Sequence, residues 1–551
     1  MRKIFFVLLL ISCSFLASSQ QKYWIYFTDK HGVDFDPYSY FEPAAIERRV
    51  REGIDLCDPS DFPLREDYFA TISAIADSIC GASRWFNAVA CVANDEQLRR
   101  MNDLYFVKNI EPMSAAPVLC SSQLFIPDSL EAPSEFDQVL AGQTERMQYS
   151  LLKAKGFTGK NVRVAVFDAG FNGFLGDEAF LHLITGNNIK ATYDFVRNKK
   201  FVFGNHNHGT HVTSCIAGLS DGKNLGCATD ADFLLARTEQ AMYESRIEEE
   251  NWVESLEWAD KWGAEIVNSS LGYTRQFYFR HDMDGKTSLI TRAANTAMSK
   301  GILVVNSAGN EGQGSWEIIG VPADADSVLT IGGIDPETGF HSGYSSYGPT
   351  TDLRLKPNLC AFFNAVVTDN NNMKIDAGTS FSSPLVAGFA ACIRQMHPEW
   401  TVRKLFDELQ KSGDLYPYFD YAHGYGVPQA SYFMKNEDAA VIKTFTLKYN
   451  GADDSLELVL LPDPNDTVAF SIKKEIWKKT RNYSAPLDYI YMHLESTDHV
   501  ISSYDVLEPA DNNIVKHTLP GCMECIIRVH YKGYTIETTK GKLLRGDEED
   551  R

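Results

Sequence analysis

The chain predicts an α/β protein: a parallel sheet buried on both faces, with a small α+β region before it and an all-β module after it. Three observations carry this. From about residue 145 to 435, apolar runs such as Val164-Ala165-Val166-Phe167, Ile302-Leu303-Val304-Val305 and Val328-Leu329-Thr330-Ile331 alternate with helical patterns. Strands read this way when helices cover both faces of the sheet. Before them, Tyr23-Trp24-Ile25-Tyr26-Phe27, Ala88-Val89-Ala90-Cys91-Val92 and a helical stretch near Glu96–Leu104 make a compact α+β pattern. After them, Phe445-Thr446-Leu447-Lys448-Tyr449, Leu456-Glu457-Leu458-Val459-Leu460 and Ile526-Ile527-Arg528-Val529-His530-Tyr531 read as strands of a sandwich.

With 551 residues the chain exceeds what one core holds, about 250–300 residues. The expected divisions are 1–19, 20–112, a Ser/Pro/Ala-rich linker 113–144, the α/β region 145–435 and the β module 440–545. The formal charge of −21 argues against nucleic acid or an anionic membrane as the partner. Arg2 and Lys3 precede an apolar run, Ile4 to Ile11, and small residues at Ala17-Ser18-Ser19, which is an export signal with cleavage near Ser19. A short anchor and lipidation at Cys13 are the alternatives. No other stretch is apolar enough to span a bilayer. Outside the cytoplasm cysteines can pair, and those after the signal fall into even groups: Cys57, Cys80, Cys91, Cys120; Cys215, Cys227, Cys360, Cys392; Cys522, Cys525. Cys215 and Cys392 lie in apolar helical patterns and equally suit buried thiols. The Cys522–Cys525 spacing lacks a second pair or histidine for a metal.

Three places carry chemistry. A buried strand runs into Asp168-Ala169-Gly170, a carboxylate at the sheet edge where α/β proteins bind ligands. His208-Gly209-Thr210-His211 opens a helix, without the His-Glu-x-x-His spacing of a zinc site. Gly378-Thr379-Ser380 opens another, with Pro384 tolerated only near its first turn and a helix N-terminus favouring negative charge. Each alone also fits a helix cap. Together they supply a serine, a base and a carboxylate to orient the base.

The blocks Val166-Phe167-Asp168-Ala169-Gly170, His208-Gly209-Thr210-His211-Val212 and Gly378-Thr379-Ser380-Phe381-Ser382-Ser383-Pro384 resemble the signatures of the subtilisin-like serine proteases. Asn268-Ser269-Ser270-Leu271-Gly272, Ser307-Ala308-Gly309-Asn310-Glu311-Gly312 and Tyr344-Ser345-Ser346-Tyr347-Gly348-Pro349 extend the resemblance across roughly 145–435. It implies a subtilisin-like three-layer fold. It further implies Ser380 as nucleophile, His208 as base and Asp168 as its orienter. Asn310 is then the oxyanion donor, and Ser270, Leu271 and Gly272 the strand that pairs with substrate. Gly320 falls on the floor of the first specificity pocket, implying a large apolar or aromatic residue before the scissile bond. Residues 20–112 resemble the family's prodomain, a folding chaperone and inhibitor of its own enzyme. Substrates are proteins or peptides. No cofactor is required for the chemistry; calcium as a structural brace is left open, with no metal ligands assigned. Ala169, the loop Asn205-His206-Asn207 and Phe362-Phe363-Asn364 depart from the family pattern, and the Glu-rich segment Thr238–Trp258 reads as a solvated helix face, with an acidic rim to the cleft as the alternative. The readings are an exported endopeptidase (secreted, periplasmic or at the cell surface), a maturation protease of few substrates, or an inactive binding protein on the same scaffold.

Overall fold

The computed structural model describes residues 21–113, 118–119, 133–241, 243–434, 442–519 and 524–545. The chain divides into two compact units: 1–34 with 59–116, and 35–58 with 117–551.

The smaller unit is a four-stranded antiparallel sheet. Its strands are β1 (Gln21–Phe27), β2 (Ser78–Ser83), β3 (Ala88–Ala93) and β4 (Val107–Met113), in the order β2-β3-β1-β4. Helices Glu66–Ile75 and Asp95–Asn102 accompany it. The second helix carries a reciprocal cap between Asn94 and Gln97, which satisfies two free N–H groups. Ile25, Ile72, Val89 and Met101 form the core.

The larger unit is organised by seven parallel strands: β5 (Arg163–Asp168), β6 (Ile189–Asp194), β7 (Asp232–Arg237), β8 (Ile266–Ser269), β9 (Leu303–Ser307), β10 (Val328–Ile334) and β11 (Leu359–Phe362), ordered β11-β10-β9-β8-β5-β7-β6. Registry is parallel throughout. Helices important below are α1 (Pro43–Glu52), α2 (His208–Ala217), α3 (Ile247–Lys261), α4 (Leu289–Ser299), α5 (Thr379–Met396) and α6 (Val402–Lys411). Val164, Val166, Val305 and Leu329 pack with Leu385 and Phe389 of α5 in one core, so α5 is held firmly behind the sheet.

Past residue 442, sheets of three strands (445–450, 455–460, 514–518) and four strands (490–495, 501–507, 526–531, 534–539), all antiparallel, share one apolar core that includes Leu458, Met492 and Val529. No helix among the described residues is long and apolar enough to cross a membrane.

Some expectations change. The stretch expected as a linker contains helix Pro133–Glu145, whose Val139 and Leu140 join the core. The Glu-rich face is not solvated at its start: Glu248 and Glu249 are buried, Glu248 accepting the Gln240 N–H at 3.0 Å and Glu249 the Tyr278 hydroxyl. Burial pushes Glu249 above its usual range, opposed by Arg246. Cys215, Cys227, Cys360 and Cys392 do not pair; they are buried thiols, each pushed up by burial. Cys525 is in a disulfide. Cys13, Cys120 and Cys522 lie outside the described residues.

Candidate active site

β5 delivers Asp168 to the carboxyl edge of the sheet, and α2 starts at His208 beside it. His208 Nδ1 lies 3.0 and 2.9 Å from the two Asp168 oxygens. Asp168 is 1% exposed and also accepts the Ala169 N–H at 2.7 Å. Among the described residues nothing bonds to Nε2 of His208, and the ring lines an open cleft. Burial disfavours charge on His208, but the Asp168 charge and hydrogen bond outweigh it and raise its pKa above 6.5. Two neighbours hold this arrangement: His206, marked in the sequence only as part of a loop that departs from the family pattern, and Arg237, which was not singled out. His206 accepts the His208 N–H on Nδ1 at 3.2 Å, and burial and then the His208 charge lower its own pKa. Arg237 lies across from Asp168 in the β7–β5 register. It donates to the Ala169 carbonyl at 2.9 Å and pairs with buried Asp194 at 3.3 Å. A cation ending a buried strand was the available signal.

Ser380 is the second residue of α5. Pro384 stands four residues on and has no N–H for the Ser380 carbonyl. The Ser270 hydroxyl takes that role, donating to Ser380 O at 2.9 Å. Proline and serine thus tie the start of α5 to the strand beside the cleft. The Ser380 hydroxyl donates to the Ser270 carbonyl at 3.3 Å. It meets this group here rather than His208; unliganded sites are often loose at this contact. His208, Ser380, Asn310 and Gly320 line the same cleft.

Asn310 enters it from the loop after β9. Its Oδ1 accepts both the Thr379 N–H and the Thr379 hydroxyl, each at 3.0 Å, which leaves Nδ2 as the outward end of the amide. A side chain at Gly378 would stand 3.4 Å from Nδ2, so the glycine keeps that donor clear. Thr379 also receives the Gly309 N–H at 3.2 Å. The sequence reading passed over Thr379, although it lies within the Gly-Thr-Ser block.

Ser270, Leu271 and Gly272 form one wall, fixed by Asn268 Nδ2 to Ser270 Oγ at 3.0 Å, Asn306 Nδ2 to the Leu271 carbonyl at 3.0 Å and the Tyr273–Val321 bridge. Gly320 is required by packing as well as by space: a Cβ there would lie 2.8 Å from both Thr274 Cγ2 and the Tyr273 carbonyl. Among the described residues no group of three His, Cys, Asp or Glu side chains could hold a metal.

The Subtilase family profile of Peptidase S8 matches residues 159–426, and the Bacteroidota Peptidase S8 propeptide domain matches 22–123. Subtilisin NAT of Bacillus subtilis subsp. natto is 28% identical over 282 residues, 50% of this chain and 67% of that one. Subtilisin of Bacillus pumilus is 29% identical over 265 residues, 47% of this chain and 86% of that one. The crystal structure of MycP1 with its N-terminal propeptide removed is 23% identical, covering 54% of this chain and 96% of that one with a TM-score of 0.44. Residues 159–426 are therefore a subtilase, a subtilisin-family serine peptidase domain, and a Peptidase S8 propeptide domain precedes it.

Proposed function

We propose that the protein is an exported serine endopeptidase working through an acyl-enzyme. The observation that carries this reading is convergence: Ser380, an Asp168-bound His208 with an unoccupied Nε2, and the outward amide of Asn310 meet in one open cleft. Ser380 Oγ attacks the scissile carbonyl as His208 Nε2 takes its proton. Asp168 holds the imidazole in the working tautomer and stabilises the imidazolium. The tetrahedral oxyanion accepts from Asn310 Nδ2 and the Ser380 N–H. Its collapse expels the amine, protonated by His208. Water then gives its proton to His208, attacks the acyl carbon and releases the acid, and the proton returns to Ser380.

An extended substrate adds a strand along Ser270–Gly272, with a large apolar or aromatic side chain toward Gly320. The propeptide domain keeps the enzyme a zymogen until the chain is cut within 113–132. Export is supported by the N-terminal signal pattern and by a disulfide at Cys525. No cofactor enters the chemistry. A calcium brace would show as a fall in melting temperature on chelation.

The test is labelling of the purified protein with a fluorophosphonate, beside Ser380→Ala. Labelling lost in the variant supports an activated Ser380. No labelling after propeptide removal and added calcium favours the inactive binding scaffold.

A further inference from the structure

Residues 35–58 lie inside the span of the propeptide match, yet they belong to the same compact unit as the catalytic sheet. Their helix α1 stops at Gly53, in the left-handed conformation (φ 69°). Adjacent on α1, Arg48 and Arg49 are wholly buried and converge on one wholly buried carboxylate, Asp260, in the last turn of α3. Arg49 reaches its two oxygens at 2.8 and 2.9 Å, and Arg48 shares the first. Arg48 also donates to carbonyls at the ends of two helices: Asp260 in the last turn of α3, Ala264 just past it, and Lys300 after α4 at 3.0 Å. The Asp260 carbonyl also takes the Trp262 and Gly263 N–H groups, and a cation at such a helix end complements its dipole. Burial holds Arg48 down to about 10, the Asp260 charge opposing it, so it stays charged at neutral pH.

One turn further, the sign reverses. Glu52 accepts the Val402 N–H on both oxygens, each at 3.0 Å, at the N-terminus of α6. The arm therefore places cations at two helix C-termini and an anion at one N-terminus. Phe41 lies 3.8 Å from the Arg49 guanidinium, and Lys300 pairs with Asp58 at 2.9 Å. The receiving surface is shaped for close approach. A Cβ at Gly301 would stand 2.5 Å from Glu52 Cγ, and one at Gly263 2.7 Å from Ala44 Cβ.

We propose that Phe35–Asp58 is an anchor that stays seated on the catalytic unit after the chain is severed, given the cut within 113–132 read above. The surface made by Asp260, Ala264, Lys300 and Val402 is its docking site, and the severed protein is two polypeptides held there. Loss of the arm would strip both guanidiniums from Asp260 and open three helix ends at once. Removing one partner of a buried pair is strongly unfavourable, and contacts of this kind act mainly on dissociation.

A full-length Ser380→Ala chain with a foreign protease site inserted between Pro127 and Asp128 and a C-terminal tag tests this. The cut then does not depend on Ser380, so failure of the anchor is distinct from failure of the catalytic reading. After cleavage, loss of the N-terminal fragment from the immobilised chain is followed on non-reducing gels. Retention for hours is expected, with loss about a hundredfold faster in Arg48→Gln/Arg49→Gln. Should that pair fail to fold, the isosteric Glu52→Gln carries the same claim, with loss about fivefold faster. A parent fragment that leaves within minutes, or one that leaves all folded variants at the same rate, overturns the anchor.

Discussion

His208 meets Asp168 through Nδ1 at 2.9 and 3.0 Å, and His423 meets Asp420 through Nδ1 at 3.0 and 3.1 Å. Both carboxylates are buried and both accept backbone N–H groups as well. The far side of the ring separates them. Nε2 of His423 accepts the His341 N–H at 2.9 Å, and the Tyr491 ring stands at its edge, 5.7 Å away. Both nitrogens of that imidazole are engaged. Nε2 of His208 has no partner among the described residues, and its side chain is 16% exposed against 4% for His423. A buried carboxylate can serve to fix a histidine for packing or for chemistry; which of the two follows from what the second nitrogen meets.

Asparagine at each carboxylate breaks the comparison most directly. Asp168→Asn leaves the shape but gives the wrong tautomer, and kcat is expected to fall about 10⁴-fold with the unfolding midpoint nearly unmoved. Asp420→Asn is expected to do the reverse. It weakens the contacts to His423 and Tyr418 and costs about 3 kcal/mol of stability, while fluorophosphonate labelling of Ser380 persists below the melting temperature. Loss of labelling in a folded Asp420→Asn protein would mean that the sealed pair acts on the site after all.

The open pair was legible in the sequence and the sealed one was not. Asp168, His208 and Ser380 each sit in a short local block whose neighbours fix a strand end or a helix start, and so does Asn310. The seven strands were legible for a similar reason: burial on both faces leaves unbroken apolar runs such as Val164–Phe167. Asp420 and His423 lie in an aromatic loop with no period, and His341, which seals them, is 82 residues away. Distance in sequence also hid the buried Glu249, whose partner Tyr278 is 29 residues on, and the docking of Arg48 and Arg49 on Asp260. Helix Pro133–Glu145 was hidden differently. It follows a Ser/Pro/Ala-rich stretch and sends only a few apolar side chains inward, so its periodicity is faint.

Amides sharpen the same distinction. Asn268 is used at both ends, Nδ2 to Ser270 Oγ at 3.0 Å and Oδ1 from Ser383 Oγ at 2.9 Å. Among the described residues Asn310 is used at Oδ1 alone. Asn310→Ala is expected to lower kcat about 10²- to 10³-fold. Thr379→Val removes one of the two contacts that set the amide, and about a tenfold fall in kcat is expected with KM unchanged. Thr379→Ser should recover most of it, because the hydroxyl and not the methyl holds Oδ1. A valine variant that raised KM and left kcat alone would place Thr379 in the packing of the cleft wall instead.

The smallest effects are in pH, and there the two regions carry opposite signs. His208 has a raised pKa, so the stability it adds is fully present below 6.5 and is lost as pH rises through the raised value. Catalysis needs the neutral ring, so the acid limb of kcat/KM should have its midpoint above 6.5 and move lower in Asp168→Asn. His341, in the sealed region, is held down to about 3 by burial and then by His423, against the opposing charge of Asp420, with the Tyr347 ring at 4.1 Å. A group depressed in the folded state adds stability above its unfolded value that is lost as pH falls. Denaturation midpoints should therefore decline as pH drops from 6.5 toward 3, and His341→Gln should flatten that decline while lowering the plateau. A variant that kept the full slope would put the acid sensitivity elsewhere, with His530, buried and held down to about 4, as the group to replace next.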